Sequence, residues 1–322
     1  MTAILGRFRS GHPWAVLAVA LVASLAHARP PTTPVSGLVS IADGGSFTVI
    51  RRDDLRTGSK GITLLAGDIV ETGPDTFLVV EMQGGSLLGI GPSSAVYWTE
   101  RGGALTLYVR TGWIKADIRP EAVSGTARVM GPRLGVQCHQ AVVVLHIQES
   151  ADELFDEQGT ATLLLRDNAT KRAGKETRPS QFLRTDDRED LTAQVGPSSD
   201  FLAQLPIAFR DTLPATAAAP ATKPLEPRWL RKVTYLDIQP WLTAPLAWRT
   251  GFIARFRDRL KDRAFFAAMD AHLGLHPEWA PILHPKPPPD DVRPQAGSPP
   301  QAQPPSQQSQ QLDSIERGGA HR

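Results

Sequence analysis

Cysteine is almost absent, with Cys138 the single one in 322 residues. An intramolecular disulfide is excluded, so stability has to come from burial of a core, which about 180 residues before the first proline-rich break can supply. Long hydrophobic runs are scarce as well. Residues 14–25 form an apolar run of twelve, against the roughly 20 that a membrane-spanning helix needs, and no later stretch could span a bilayer. Charge of one sign is missing too. The 35 Lys+Arg stand against 33 Asp+Glu, so no global field draws the chain to nucleic acid. Histidine is thinly spread. His272 and His276 lie four apart, but Gly274 and Pro277 interrupt the helix that a zinc-binding pair would need. No metal or cofactor is expected.

The start of the chain reads as an address. Arg7, Arg9 and His12 precede the apolar run, and Ala26-His27-Ala28 supplies the small-x-small pattern of a signal-peptidase site. The expectation is a signal peptide over 1–28, cleavage after Ala28 and a periplasmic protein. Cleavage removes Arg7 and Arg9 and no acid, leaving the mature chain near neutral.

The stretch 64–98 organises the rest of the chain. Its apolar runs at 68–71, 77–82, 86–90 and 95–98 are separated by Gly73-Pro74-Asp75, Gly84-Gly85 and Gly91-Pro92, the punctuation of short strands joined by tight turns. Gly73, Gly84, Gly85 and Gly91 are expected at positive φ, while Pro74 and Pro92 preset a turn and offer no N–H to a ladder. In the second run Phe77, Val79 and Glu81 alternate with Leu78, Val80 and Met82. Both faces are largely apolar, which predicts a central strand. Further candidate strands lie at 38–41, 47–50, 105–109, 113–118, 127–130, 134–138, 141–147, 153–156, 161–165 and 181–183. Turn signals recur roughly every ten residues, predicting a mainly β domain over 35–195, either a rolled β-sandwich or a β-helix-like stack.

The turn residues carry a resemblance. Gly67, Asp68, Thr72, Gly73 and Asp75, followed by Gly84, Gly85 and Ser86 and then by Gly91, Pro92 and Ser93, stand in an order that resembles the FecR-type periplasmic domain, over about residues 35–187. The resemblance implies a non-enzymatic periplasmic domain that senses or binds. It is best known in iron-uptake signalling, where it contacts an outer-membrane transporter and regulates a sigma factor. Members that regulate sigma factors carry a cytoplasmic helical segment before a membrane helix. Here thirteen residues precede the apolar run, so direct sigma-factor contact is not expected.

Several groups invite chemical readings. Cys138 beside His139 suggests a nucleophile and its base, but apolar runs flank them, and neighbours on a strand point to opposite faces. Asp152, Glu153, Asp156 and Glu157, like Asp186, Asp187, Glu189 and Asp190, lack the spacing of a calcium loop and read as solvated turns. Glu71 with Asp75, or Asp117 with Glu121, could be the paired carboxylates of a glycan hydrolase. Asn168-Ala169-Thr170 matches a glycosylation sequon. The leading expectation is a non-enzymatic binding, sensing or scaffolding module. The alternatives are an enzyme acting on envelope glycan or peptidoglycan, or a signal-transducing partner of an outer-membrane receptor.

The remainder changes character. Residues 198–205 read as a short helix capped by Ser198 or Ser199, within a helical extension over 196–210. Prolines 214, 220, 224 and 227 among small residues make 211–227 an extended linker. Residues 228–284 then read as a helical hairpin. Trp248, Phe252, Phe256 and Leu260 form one stripe, Phe265, Phe266, Met269 and Leu273 the other, and Trp229, Trp241 and Trp279 close it. Arg249, Arg255, Arg257, Arg259, Lys261 and Arg263 make its polar side basic. That is the surface expected of a solvated face or of a patch for an anionic envelope protein or polymer. From 285 to 322 the chain is rich in Pro, Gln and Ser, and disorder is expected.

Overall fold

The computed structural model describes residues 36–101, 104–119, 126–165, 174–188, 190–216 and 225–285. The signal segment, the sequon, Glu121, Glu189 and nearly all of the tail lie outside them. The described chain forms two units that divide after Gly251.

The first unit is mainly β. In chain order its strands are β1 (Ser36–Asp43), β2 (Phe47–Arg51), β3 (Asp54–Gly58), β4 (Thr63–Leu65), β5 (Ile69–Glu71), β6 (Phe77–Met82), β7 (Leu87–Ile90), β8 (Ala95–Arg101), β9 (Ala104–Ile118), β10 (Ala127–Met130), β11 (Leu134–Ile147), β12 (Ala151–Leu165), β13 (Lys175–Glu176), β14 (Gln181–Asp186), β15 (Leu191–Val195) and β16 (Arg228–Lys232). One path of pairing runs β15-β14-β12-β11-β10-β9-β8-β5-β2-β3-β16, and a branch leaves β9 through β7, β6 and β1 to β4. The four runs of the 64–98 stretch are β5, β6, β7 and β8. As its two apolar faces predict, β6 is central, between β1 and β7.

Three long strands turn this sheet into a rolled sandwich. The candidates 105–109 and 113–118 are one strand, β9, whose first half pairs with β8 and β10 and whose second half pairs with β7 and β11. The change of partners falls at Gly112, held at φ 98°. A Cβ there would lie 2.4 Å from Ser94 Cα, so only glycine fits. Likewise 134–138 and 141–147 merge into β11, and 153–156 and 161–165 into β12, which bends at Gly159 (φ 85°). A bent strand serves two layers at once, a device of folded-over sheets. Inner faces of both wings meet in one core that includes Val39, Val80, Trp98, Leu107, Ile114, Val136, Leu145 and Leu183.

The outer face is covered by the helical extension. Helix α1 (Ser199–Gln204) is capped by Ser198 Oγ, which accepts from Phe201 N at 3.1 Å. Phe201, Phe209 of α2 (Ile207–Arg210) and Leu213 pack onto Val79, Leu87, Trp113, Val144 and Phe182. The segment 211–227, read from its composition as an extended linker, is docked at both of its described ends. Thr216 donates from its backbone N–H and its hydroxyl to Glu81. Leu225 bridges to Ile62, Glu226 pairs with Arg51, and the Pro227 carbonyl accepts from Arg56.

The start of the helical module is corrected. Arg228–Lys232 is a strand, β16, paired with β3, and it leads into α3 (Tyr235–Leu242) and α4 (Leu246–Arg249), all in the first unit. Thr234 caps α3 in a reciprocal capping box with Asp237. Trp229 is 56% exposed on β16 and closes no hairpin.

The second unit holds α5 (Phe252–Phe256), α6 (Arg263–Ala271) and α7 (Ala280–Leu283), with one 3-10 segment between the first two and two 3-10 turns between the last two. The two long hairpin helices are absent among the described residues. Thr250-Gly251 interrupts the first stripe, and 257–261 is a 3-10 segment. Phe252, Phe256, Phe265 and Met269 are buried as expected of stripe residues, on short helices, and Trp279 is buried in a 3-10 turn.

Candidate functional site

The turn residues that carry the resemblance are consumed by architecture. Gly67, at φ 100°, brings its N–H to the Trp98 carbonyl at 2.7 Å. The buried Asp68 carboxylate accepts from Arg51 Nε at 3.0 Å, from the Arg51 terminal nitrogen at 2.7 Å and from Leu65 N at 2.9 Å. Arg51 itself reaches the Thr63 carbonyl and Glu226. A buried, bidentate and further bonded pair of this kind fixes the geometry around it. Thr72 Oγ1 donates to the Gly91 carbonyl at 2.7 Å and accepts from Ser94 N at 2.9 Å. Gly73 O accepts from Thr76 N and Ser93 N. Ser86 Oγ accepts from Arg119 N at 2.9 Å. Asp75 is exposed.

Two glycines depart from expectation. Gly84 and Gly85 take φ 80° and 76°, but Gly73 and Gly91 do not have positive φ, and Ser93 (φ 50°) supplies the left-handed residue of the third turn. Gly91 is required for a different reason, since a Cβ there would meet Trp113 Cβ at 2.7 Å.

Cys138 and His139 point to opposite faces. The thiol is fully buried, and desolvation, with Asp156 nearby, pushes its pKa up to about 12. His139 is exposed, near Thr126 and Gln137. Glu71 Oε1 accepts from Trp241 Nε1 at 3.2 Å. Trp241 in turn lies edge-on to Tyr97, while Arg110 sits 5.8 Å from its ring and Trp248 stacks on Tyr108 at 5.0 Å. Burial lowers the pKa of Arg110, and the charge of Glu71 opposes that shift. Of the acidic clusters expected as solvated turns, that at 186–190 has Asp187 and Asp190 exposed, but Asp152, Glu153 and Asp156 are buried on β12 instead. Asp152 accepts from Arg133 N, Leu134 N and the Arg133 side chain. Glu153 Oε2 lies 3.1 Å from His146 Nδ1. Asp156 Oδ2 accepts from the Thr177 hydroxyl. Among the described residues, no group of three or more His, Cys, Asp or Glu is placed to hold a metal ion.

The basic residues of 249–263 are largely committed. Arg249 Nε donates to the Ala244 carbonyl. Arg255 lies 4.8 Å over the Phe256 ring. Arg259 pairs with Asp262 and stacks on Phe265 at 5.3 Å, and Lys261 pairs with Asp258. Arg257 and Arg263 are exposed.

One concave feature was invisible in the sequence. Asp117, Arg119, Val142 and Gln158 line both a cavity of about 220 Å³, with Gln140 and Gly159, and a neighbouring one of about 150 Å³, with Lys115 and Glu157. Lys115, Asp117 and Arg119 alternate with the buried Ile114, Ala116 and Ile118. This period of two was a legible sign of a polar face, but nothing local says that the bend of β12 brings Glu157 and Gln158 beside it. Lys115 is 2% exposed, and its ammonium is shared among Glu157 and the carbonyls of Phe209 and Asp211. The groove is therefore lined by two carboxylates, of which Glu157 already pairs with Lys115, one guanidinium and two carboxamides, a set suited to hydrogen bonding with a polar ligand.

No protein-family model matches the chain, and no curated protein sequence matches it. Among solved structures, two crystal structures of a candidate anti-sigma factor from Parabacteroides distasonis are similar at 8% identity and TM-score 0.35. The match covers 42% of this chain and less than two thirds of those chains, 63% and 62%.

Proposed function

We propose that the protein is a non-enzymatic, exported component of the cell envelope whose β domain, of FecR type, acts as a binding, sensing or scaffolding module. The observation that carries this reading is the fate of the motif. Asp68, Thr72 and Ser86, its buried polar members, bond to the chain's own backbone or to Arg51, so the motif builds a frame and leaves recognition to the surface. The thiol and imidazole that suggested catalysis are separated by the β11 backbone. Export rests on the basic start, the apolar run and Ala26-His27-Ala28. Among the described residues no helix is long and apolar enough to cross a membrane. The partner is an envelope protein or polymer.

The test is expression in a Gram-negative host, with fractionation, N-terminal sequencing and co-sedimentation on isolated envelope material. The expected result is a new N-terminus at Arg29 in the osmotic-shock fraction and saturable association without release of sugar or peptide. Recovery in membranes with residues 14–25 intact would overturn export. Sustained turnover of envelope glycan that is lost in Asp117→Asn would overturn the non-enzymatic reading.

A further inference from the structure

Among the described residues the pairing path ends on two very different strands. At one end β16 carries Arg228, Arg231 and Lys232, and its register shifts between Trp229 and Arg231. Charge and irregularity are the usual means of keeping an edge from recruiting another chain. At the other end β15 reads Leu-Thr-Ala-Gln-Val, with no charge, proline or glycine and an unbroken register against β14. Its last residue, Val195, is 91% exposed.

The register shows what this edge offers. Gly196 N donates to the Ser180 carbonyl at 2.8 Å. With the alternation of antiparallel ladders, that bond makes Phe182–Gln194 and Arg184–Thr192 the bonded pairs, so Leu191, Ala193 and Val195 turn their N–H and C=O groups away from β14. These three residues also share a face with Leu183, a member of the inner core opposite Ala193, and Leu191 already packs against that core. The outward backbone groups and the inward apolar side chains thus belong to the same residues.

We propose that β15 is a self-pairing edge that joins two copies of this chain in a continuous antiparallel sheet, with the twofold axis at Ala193. In that register Ala193 faces Ala193 of the second copy, and Leu191 faces Val195. Every one of these pairs exchanges both backbone hydrogen bonds. The exposed Val195 is covered by a leucine that continues the row from the core, while Thr192 and Gln194 meet their counterparts on the polar face. A neutral, palindromically apolar strand is complementary to itself, as a twofold interface demands.

The test is sedimentation equilibrium of the full chain over a wide concentration range. A reversible monomer–dimer equilibrium is expected, weakened at least tenfold by Val195→Lys and by Ala193→Pro, with unchanged far-ultraviolet circular dichroism. Lysine at an exposed position leaves the fold intact, so it decides the matter if proline does not. Ala193→Cys should form a disulfide-linked dimer on mild oxidation, since its Cα atoms would lie about 5.5 Å apart. Thr192→Cys, out of register with its own copy, should not. A monomer at all concentrations, including one that pairs this edge only with a different protein, overturns the proposal. So does a dimer that Val195→Lys leaves unchanged.

Discussion

Lys115 Nζ donates to the carbonyl oxygen of Phe209 at 2.9 Å, across 94 positions of sequence. With the bond to Asp211 O it fastens the segment that covers the outer face of the sheet. Lys115→Met would leave two carbonyls and the Glu157 carboxylate without their donor. Removing one member of a buried pair costs about 3–5 kcal/mol. Urea unfolding should show a loss of that order, and limited proteolysis should cut first between Leu205 and Thr216. Lys115→Met combined with Glu157→Gln should recover part of the loss, because the stranded charge is gone.

Gly91 and Gly73 separate steric need from turn propensity. Gly91→Ala should lower stability by roughly 1–3 kcal/mol, since its Cβ would press on Trp113 at 2.7 Å. Gly73→Ala should change stability by less than about 1 kcal/mol, because its Cβ meets Thr76 Oγ1 at 3.4 Å and its φ is ordinary. Thermal unfolding of the two variants decides this. Equal losses would mean that Gly73 is held in a conformation that alanine cannot adopt.

The sequence exposed local structure well and long-range structure poorly. The strands of 64–98 were legible because turn residues punctuate them and Phe77–Met82 is apolar on both faces. The cap at Ser198 and the burial of Cys138 followed from short-range rules. What escaped depended on partners far along the chain. β3, with Leu55 as its one large apolar residue, and β16, whose residues are all exposed, have no amphipathic pattern; β3 is held locally by β2, but β16 is a strand because β3 pairs with it 170 or more positions away. The 211–227 segment has a linker's composition, yet Glu81 and Arg51 hold its two described ends. The helical stripe was read from spacing that Thr250-Gly251 interrupts without disturbing the burial of its aromatics. The polar groove escaped because its walls come from β9, β11 and the bend of β12.

Asp156 makes stability depend on pH. It is fully buried, Thr177 donates to Oδ2, and Oδ1 has no hydrogen-bond partner among the described residues. Burial pushes its pKa up to about 6, against the Thr177 bond, which acts in the opposite direction. The folded chain thus holds the proton more tightly than the unfolded chain, whose pKa stays near 3.8. The associated stability is fully present below about pH 4 and is lost as pH rises through 6. Asp156→Asn should therefore be more stable than the parent at pH 7, by on the order of 2–3 kcal/mol, and the difference should vanish by pH 4. Urea unfolding of both proteins from pH 4 to pH 8 measures it. A difference that does not change with pH would show that Asp156 does not titrate in this window.

The sheet sets the last prediction, which concerns where the β unit ends. Composition places a boundary at the proline-rich stretch before Arg228, but the pairing of β16 with β3 and the packing of Trp241 and Trp248 on Tyr97 and Tyr108 place residues 228–251 in the β unit. A chain from Arg29 to Gly251 should unfold in a single cooperative transition. Ending it at Pro227 would uncover the β3 edge and remove two buried tryptophans. Loss of one large buried aromatic already costs about 3–5 kcal/mol, so the shorter chain should unfold at markedly lower temperature or aggregate through its new edge. Conversely, residues 228–285 alone should lack a cooperative transition, because Arg228–Lys232 would have no strand to pair with and Trp241 no Glu71 to bond. Thermal scans and quenching of tryptophan fluorescence on the three fragments test this together. If the 228–285 fragment folds with its tryptophans shielded, the boundary belongs before Arg228 and β16 is an accessory to the sheet.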